Sequence, residues 1–143
     1  MSDDIAVDAV VEVPRGSFVK RRADGRVDFV SPVPCPYNYG SLPGTVGGDG
    51  DPVDAVILGP RRRAGERVCL PVRAEVRFVD EGRDDTKLVL SAQPLGGFQR
   101  AGLWTFFTVY AQAKRLLARV RGRGGEIAFR GLVLRSADHC NQL

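Results

Sequence analysis

Arg67-Val68-Cys69-Leu70-Pro71-Val72-Arg73-Ala74-Glu75-Val76-Arg77-Phe78 places Val68, Leu70, Val72, Ala74, Val76 and Phe78 at every second position. A period of two puts these side chains on one face of an extended strand, whereas a helix would scatter them around its circumference. The stretch therefore reads as a long strand, bent at Pro71, with one face in a core.

Shorter extended runs lie on either side. Ala9–Val13 is apolar except for Glu12 and stops at Pro14. Arg26–Val30 alternates and follows the turn signal Ala23-Asp24-Gly25. Val53–Leu58 is a mostly apolar run into which Asp54 intrudes, Lys87–Leu90 follows a charged turn, and Glu126–Leu134 closes the series. Between Ser31 and Pro52 there is no periodicity; prolines and glycines fill a long loop, which in a compact domain is usually functional. Only Leu103–Val120 reads as a helix, with Trp104, Phe107, Ala111, Ala113, Leu116, Leu117 and Val120 as its apolar stripe. Trp104, Phe106 and Phe107 are accordingly expected in the core. Five or six strands and one helix, without βαβ alternation, predict a mainly β fold: a small closed OB-like barrel with a helix at about 103–120 packed on it.

The 143 residues fit a single domain over 1–143, with 43% hydrophobic and 27% charged residues. Such a chain buries enough surface to fold without a metal or disulfide staple. No apolar run reaches the length of a membrane span, and the start MSDDIAVDAV is acidic, unlike a signal peptide. Three cysteines (Cys35, Cys69 and Cys140) match no metal-ligand spacing. A cytoplasmic setting without membrane association is expected.

The net charge is +4, but the acids are concentrated in two short clusters, Asp49/Asp51/Asp54 and Asp80/Asp84/Asp85. Clustered carboxylates repel one another, and cations relieve that repulsion. Asp49-Gly50-Asp51-Pro52-Val53-Asp54 suits a hard divalent cation, which takes oxygen ligands and keeps several waters. A plain surface turn is the other reading, since Asp-Gly and Asp-Pro are common turn dipeptides. An EF-hand is excluded because its twelfth position falls on Pro60. The second cluster, Asp80 to Lys87, links two strands, so the two acidic turns are expected to face each other, with Lys87 beside them for an anion. Carboxylates, a metal and a lysine together describe phosphoryl transfer.

These motifs resemble the soluble Mg²⁺-dependent inorganic pyrophosphatases of the first, barrel-type family. The resemblance rests on Val11-Glu12-Val13-Pro14 with Lys20, Pro36-Tyr37-Asn38-Tyr39-Gly40, the Asp49–Asp54 block, Asp80-Glu81 through Asp85-Thr86-Lys87, and Phe106-Phe107 with Tyr110. It runs from about Val10 to Leu132. It implies Mg²⁺ as cofactor, a small diphosphate as substrate and a homo-oligomer as assembly. Asp49, Asp54 and Asp85 would hold the tightest metal, and Asp80 and Glu12 further metals. Asp51 would orient and deprotonate the attacking water, while Lys20, Lys87, Tyr39 and Tyr110 would hold phosphate oxygens.

The sequence departs from the family where phosphate is gripped. Arg21 and Arg22 stand where the family has an aromatic residue and a glutamate, Cys35 replaces a tyrosine, and Ala111 replaces a lysine after Tyr110. The strand ending at Val30 lacks the following Asp-Arg pair. Arg22 and Lys114, the latter one helical turn beyond Tyr110, are the candidates to replace the lost cations. Two alternative functions follow. One is metal-assisted hydrolysis or C–O ionisation of an organic diphosphate, isoprenoid or nucleoside, with Leu95, Phe98, Leu103 and Trp104 lining an apolar mouth. The other is a non-enzymatic OB-like module for polyanions; nucleic acid is not an expected partner, because the acidic clusters repel a phosphate backbone.

Overall fold

The computed structural model describes residues 5–17, 19–21, 27–30, 35–48 and 50–135, with the strands at 19–21 and 27–30 described by their backbone. Asp49 and Arg22 lie outside the described residues, as do the side chain of Lys20 and the turn Ala23–Gly25.

The long alternating segment is one strand, β6, from Arg67 to Asp80. Its first part pairs antiparallel with β1 (Ala6–Val13), from Val10 opposite Arg67 to Ala6 opposite Pro71. From Val72 onward it pairs instead with β8 (Lys87–Leu90), and from Ala74 also with β9 (Ala128–Leu134). Pro71 thus sits where the strand exchanges partners, the place where a missing N–H costs least. β1 continues to β4 (Asn38–Ser41), β4 to β5 (Asp54–Ile57), and β5 runs parallel to β8. The result is a ring of hydrogen-bonded strands in the order β1-β4-β5-β8-β6, closed by β6 on β1. β2 (Val19–Arg21) and β3 (Val27–Val30) form a separate antiparallel pair, and β7 (Arg83–Asp84) folds back on the end of β6.

Two cores result, and alternation separates them on β5 and β8. β6 instead gives Val68 and Val72 to one and, beyond its register shift between Val72 and Ala74, gives Ala74, Val76 and Phe78 to the other, so its alternating residues do not all face one core. Ala9, Val11, Leu42, Ala55, Ile57, Val68, Val72 and Leu90 pack together on one side. Val56, Ala74, Val76, Phe78 and Val89 point to the other, where helix α1 (Gly97–Val120) covers them with Leu103, Phe107 and Ala111. The fold class anticipated from the sequence, mainly β with one packed helix, is what the chain adopts.

Three local expectations are corrected. The aperiodic segment contains β4, whose Asn38 and Gly40 have low strand propensity and hide it. Gly40 is there because the strands approach closely: a Cβ would lie 1.9 Å from the Val10 carbonyl oxygen. The helix begins at Gly97 rather than Leu103, since the Gly96 N–H donates to the Gln99 side chain at 3.0 Å and gives that end a cap. The apolar stripe is displaced: Leu103, Phe107 and Ala111 are buried, while Trp104, Leu116, Leu117 and Val120 are exposed. Trp104 is 53% exposed, its ring edge-on to Phe129 at 5.0 Å between centroids.

Candidate active site

Strand register assembles the centre of the site. Parallel pairing sets Ala55 opposite Leu88, so the residues before them, Asp54 and Lys87, enter side by side. Both then share a face with Val56 and Val89, under α1. Lys87 is 1% exposed, and its Nζ donates to Asp54 Oδ2 at 3.1 Å and to Asp85 Oδ2 at 2.8 Å. On the neighbouring strand, Tyr39 donates its hydroxyl to the same Asp54 Oδ2 at 3.0 Å. The ammonium lies 5.7 Å from the centroid of Tyr39 and 5.3 Å from that of Phe78.

Burial alone would pull the Lys87 ammonium toward neutrality, but its interactions with the Asp54 and Asp85 carboxylates outweigh it and hold the group above its ordinary value. Burial, and then the Asp54 carboxylate, push the Tyr39 phenol well up, so it stays protonated and donates. The site is therefore a fixed cation and a fixed donor meeting two carboxylates.

The acidic turns face each other, as their strand ends require. Asp51, Asp80, Glu81, Arg83 and Gly124 line one polar cavity of about 380 Å³. Gly48 allows the approach, since a Cβ there would come within 2.9 Å of Asp84 Cβ. Asp51 is exposed to solvent at this mouth. Glu12 is half-buried in β1, one residue before Val13, which pairs with Tyr39.

Tyr110 stacks on Phe106 with centroids 5.8 Å apart and approaches Phe78 at 5.6 Å. Lys114 donates from Nζ to Asp80 Oδ2 at 2.5 Å and lies 5.5 Å from the Tyr110 centroid. Burial lowers its proton affinity, but Tyr110 and Asp80 more than restore it, so the ammonium sits above its ordinary value.

Two departures acquire a structural meaning. Burial raises the thiol of half-buried Cys35, which marks it as an inert thiol. Ala111 is packed in the core under α1, where no cation belongs. The apolar mouth expected from Leu95, Phe98, Leu103 and Trp104 is not formed: Leu103 is fully buried, Leu95 packs on the core, Trp104 lies against Phe129 and Phe98 stands out in solvent.

Sequence reading gave Asn38 no role, yet it ties the site's framework together. Its Oδ1 accepts from the backbone N–H groups of Arg15 at 3.0 Å and Arg62 at 2.9 Å, and its Nδ2 donates to the Pro60 carbonyl at 2.8 Å. Arg83, at the cavity wall, also had no assigned role. Its only sequence signal is its place inside the second acidic turn.

The sequence profile of the inorganic pyrophosphatases matches residues 9–96, which hold every one of these carboxylates together with Tyr39 and Lys87. The chain belongs to the inorganic pyrophosphatase family. Among relatives, the inorganic pyrophosphatase of Gluconobacter oxydans is 34% identical over 94 residues, covering 58% of this chain and 53% of that protein. The soluble inorganic pyrophosphatase of Oryza sativa subsp. indica is 38% identical over 89 residues, covering 56% and 41%. The chain spans about half the length of the curated relatives it matches. The inorganic pyrophosphatase structure from Helicobacter pylori superposes with a TM-score of 0.75 at 23% identity, covering 94% of this chain and 88% of that one. The Thermus thermophilus enzyme gives a TM-score of 0.72 at 24% identity, covering 91% and 83%. These structural likenesses cover more of the chain than the profile match does.

The donors present in this pyrophosphatase fold suit a hard divalent ion. Asp51, Asp54, Asp80 and Asp85 offer oxygen only, and Lys87 already shows that Asp54 and Asp85 jointly hold a cation. Among the described residues, no three Asp, Glu, His or Cys side chains are gathered into a ready-made cage. Asp51 and Asp80 instead line the cavity, while Asp54 and Asp85 are paired with Lys87 and Asp80 with Lys114.

Proposed function

We propose that this chain is a Mg²⁺-dependent inorganic pyrophosphatase that hydrolyses the P–O–P bond by a water held at Asp51. The observation that carries the reading is the convergence of Asp51 and Asp80 on one polar cavity, beside the Lys87–Asp54–Asp85–Tyr39 cluster, in a chain of this family.

Asp49, Asp54, Asp85, Asp80 and Glu12 are the residues that would hold divalent ions. Such ions supply charge neutralisation on the phosphoryl oxygens and lower the pKa of a coordinated water. Asp51, exposed in the cavity, orients the attacking water and takes its proton. Lys87 keeps a fixed positive charge beside Asp54 and Asp85, ready for the charge that builds on phosphoryl oxygens. Tyr39 and Tyr110 are assigned to phosphate oxygens, as are Lys20 and Arg22 from the β2 region. A cytoplasmic location and a homo-oligomeric state belong to this reading. The exposed Val109, Leu116 and Val120 on α1 supply an apolar surface for such an assembly.

The test is release of phosphate from inorganic pyrophosphate by purified protein with Mg²⁺, alongside a nucleoside triphosphate and an isoprenoid diphosphate. Rapid release from inorganic pyrophosphate, lost in Asp51→Asn by roughly a hundredfold or more, is the expected result. No release there, with diphosphate released from the isoprenoid substrate, overturns it.

A further inference from the structure

The sheet-facing side of α1 runs through Leu103, Phe107 and Ala111, and its period then calls for apolar residues near positions 114 and 118. Ala118 meets that expectation, packing on the core, but the other position holds Lys114. A lysine on the covered face of a helix is costly unless its charge is used. Here its stem passes beside Tyr110 and its ammonium reaches Asp80 at the cavity edge.

The cavity that Asp80 lines carries three carboxylates, Asp51, Asp80 and Glu81, against Arg83 in its wall and Arg123, which pairs with Glu81 at 3.6 Å. A diphosphate brings several negative charges of its own, so that wall cannot receive it without more cations. Lys114 stands at the wall with an ammonium that has three donors, one of them directed to Asp80. Its four-carbon stem lets the head turn from one acceptor to another without moving the helix.

Resting on the pyrophosphatase reading above, we propose that Lys114 is a phosphate-binding residue of this site and the exchangeable counter-ion of Asp80. Before substrate arrives it neutralises Asp80. When a divalent ion takes that carboxylate, the ammonium turns to a phosphoryl oxygen of the diphosphate. A divalent ion and Lys114 therefore compete for Asp80, while Lys114 and Asp80 cooperate once substrate is present.

The two effects have opposite signs, which makes them separable by calorimetry on the intact chain. The probes are Mn²⁺ alone, and imidodiphosphate, which resists hydrolysis, in the presence of Mn²⁺. Lys114→Met is expected to bind imidodiphosphate at least about tenfold more weakly, the loss of one charge-assisted hydrogen bond. The same variant binds Mn²⁺ more tightly in the absence of phosphate. Lys114→Arg retains most of the imidodiphosphate affinity, and Arg119→Met, an exposed charge on the same helix, changes neither measurement. Lys114→Gln serves if the methionine variant fails to fold. Unchanged imidodiphosphate binding in Lys114→Met, or a fall no larger than in Arg119→Met, overturns the role of Lys114 alone. A parent protein that binds Mn²⁺ but no imidodiphosphate overturns the pyrophosphatase reading, and this one with it.

Discussion

Lys87 Nζ and the Tyr39 hydroxyl both donate to one oxygen, Asp54 Oδ2, at 3.1 and 3.0 Å, from the strands on either side of β5. Asp54 is thereby fixed in orientation by two donors. The arrangement follows from strand order, since β4, β5 and β8 are neighbours in the ring. Replacing Lys87 with Met would leave Asp54 and Asp85 close together and partly buried without their shared cation. Breaking a buried pair in this way costs about 3–5 kcal/mol. Lys87→Met is therefore expected to lower the urea midpoint sharply and to abolish hydrolysis; a midpoint equal to the parent's would contradict the ion cluster.

The same group sets an alkaline limit. In the folded chain the Lys87 ammonium holds its proton more tightly than a free lysine, whose pKa is about 10.4. Its stabilisation is fully present below that unfolded value and is lost only as pH rises through the higher folded value. Lys87 therefore contributes no pH dependence of stability between pH 6 and 9, and urea titrations across that range should show none that Lys87→Met removes. Above pH 10.4 the parent should lose stability with a slope that the variant lacks.

Tyr39→Phe keeps the ring against the core and removes only the hydroxyl bonded to Asp54. A hydrogen bond to a charged acceptor contributes about 1.5–3 kcal/mol, so a loss of roughly tenfold or more in kcat/KM is expected with the fold retained. Because burial and Asp54 push the phenol well above its ordinary value, parent and variant should share one rate profile up to about pH 10. An alkaline limb present only in the parent would show that the phenol ionises.

Asn38→Ala tests the framework. The buried amide joins the Arg15 and Arg62 N–H groups to the Pro60 carbonyl, and its removal leaves three backbone groups short of a partner. At about 1–3 kcal/mol for each group that stays dry, thermal stability should fall by more than a single hydrogen bond explains. Asn38→Asp preserves the acceptor and should recover part of the loss. A variant as stable as the parent would mean that water replaces the amide without penalty.

How much of this was legible in the sequence depended on the kind of signal each residue carries. The period of two over Arg67–Phe78 marks β6 plainly, because alternation survives whatever the partner strands are. The acidic blocks and Lys87 point to phosphoryl chemistry through residue type alone, and their meeting at one cavity needed only that they lie at strand ends. β4 was invisible because its residues, Asn38 and Gly40, are chosen for a buried hydrogen-bond hub and a close backbone approach rather than for strand propensity. Which face of α1 is covered also escaped. Apolar residues occur on two sides of that helix, and only the sheet decides that Leu103, and not Trp104, points inward.

That decision gives the last prediction. Leu103 and Phe107 are fully buried between α1 and the sheet, whereas Trp104 is 53% exposed and rests on Phe129 and beside Gly131. Phe107→Ala should cost about 3–5 kcal/mol, the usual penalty for emptying an aromatic site in a core. Trp104→Ala forfeits an edge-to-face ring pair of about 0.5–1.5 kcal/mol and some half-exposed area, and should remain folded. Chemical denaturation of the two variants side by side checks the ordering. Should Trp104→Ala prove the more damaging, its indole must be covered in solution, and sedimentation of parent and variant would then show whether a second copy of the chain covers it.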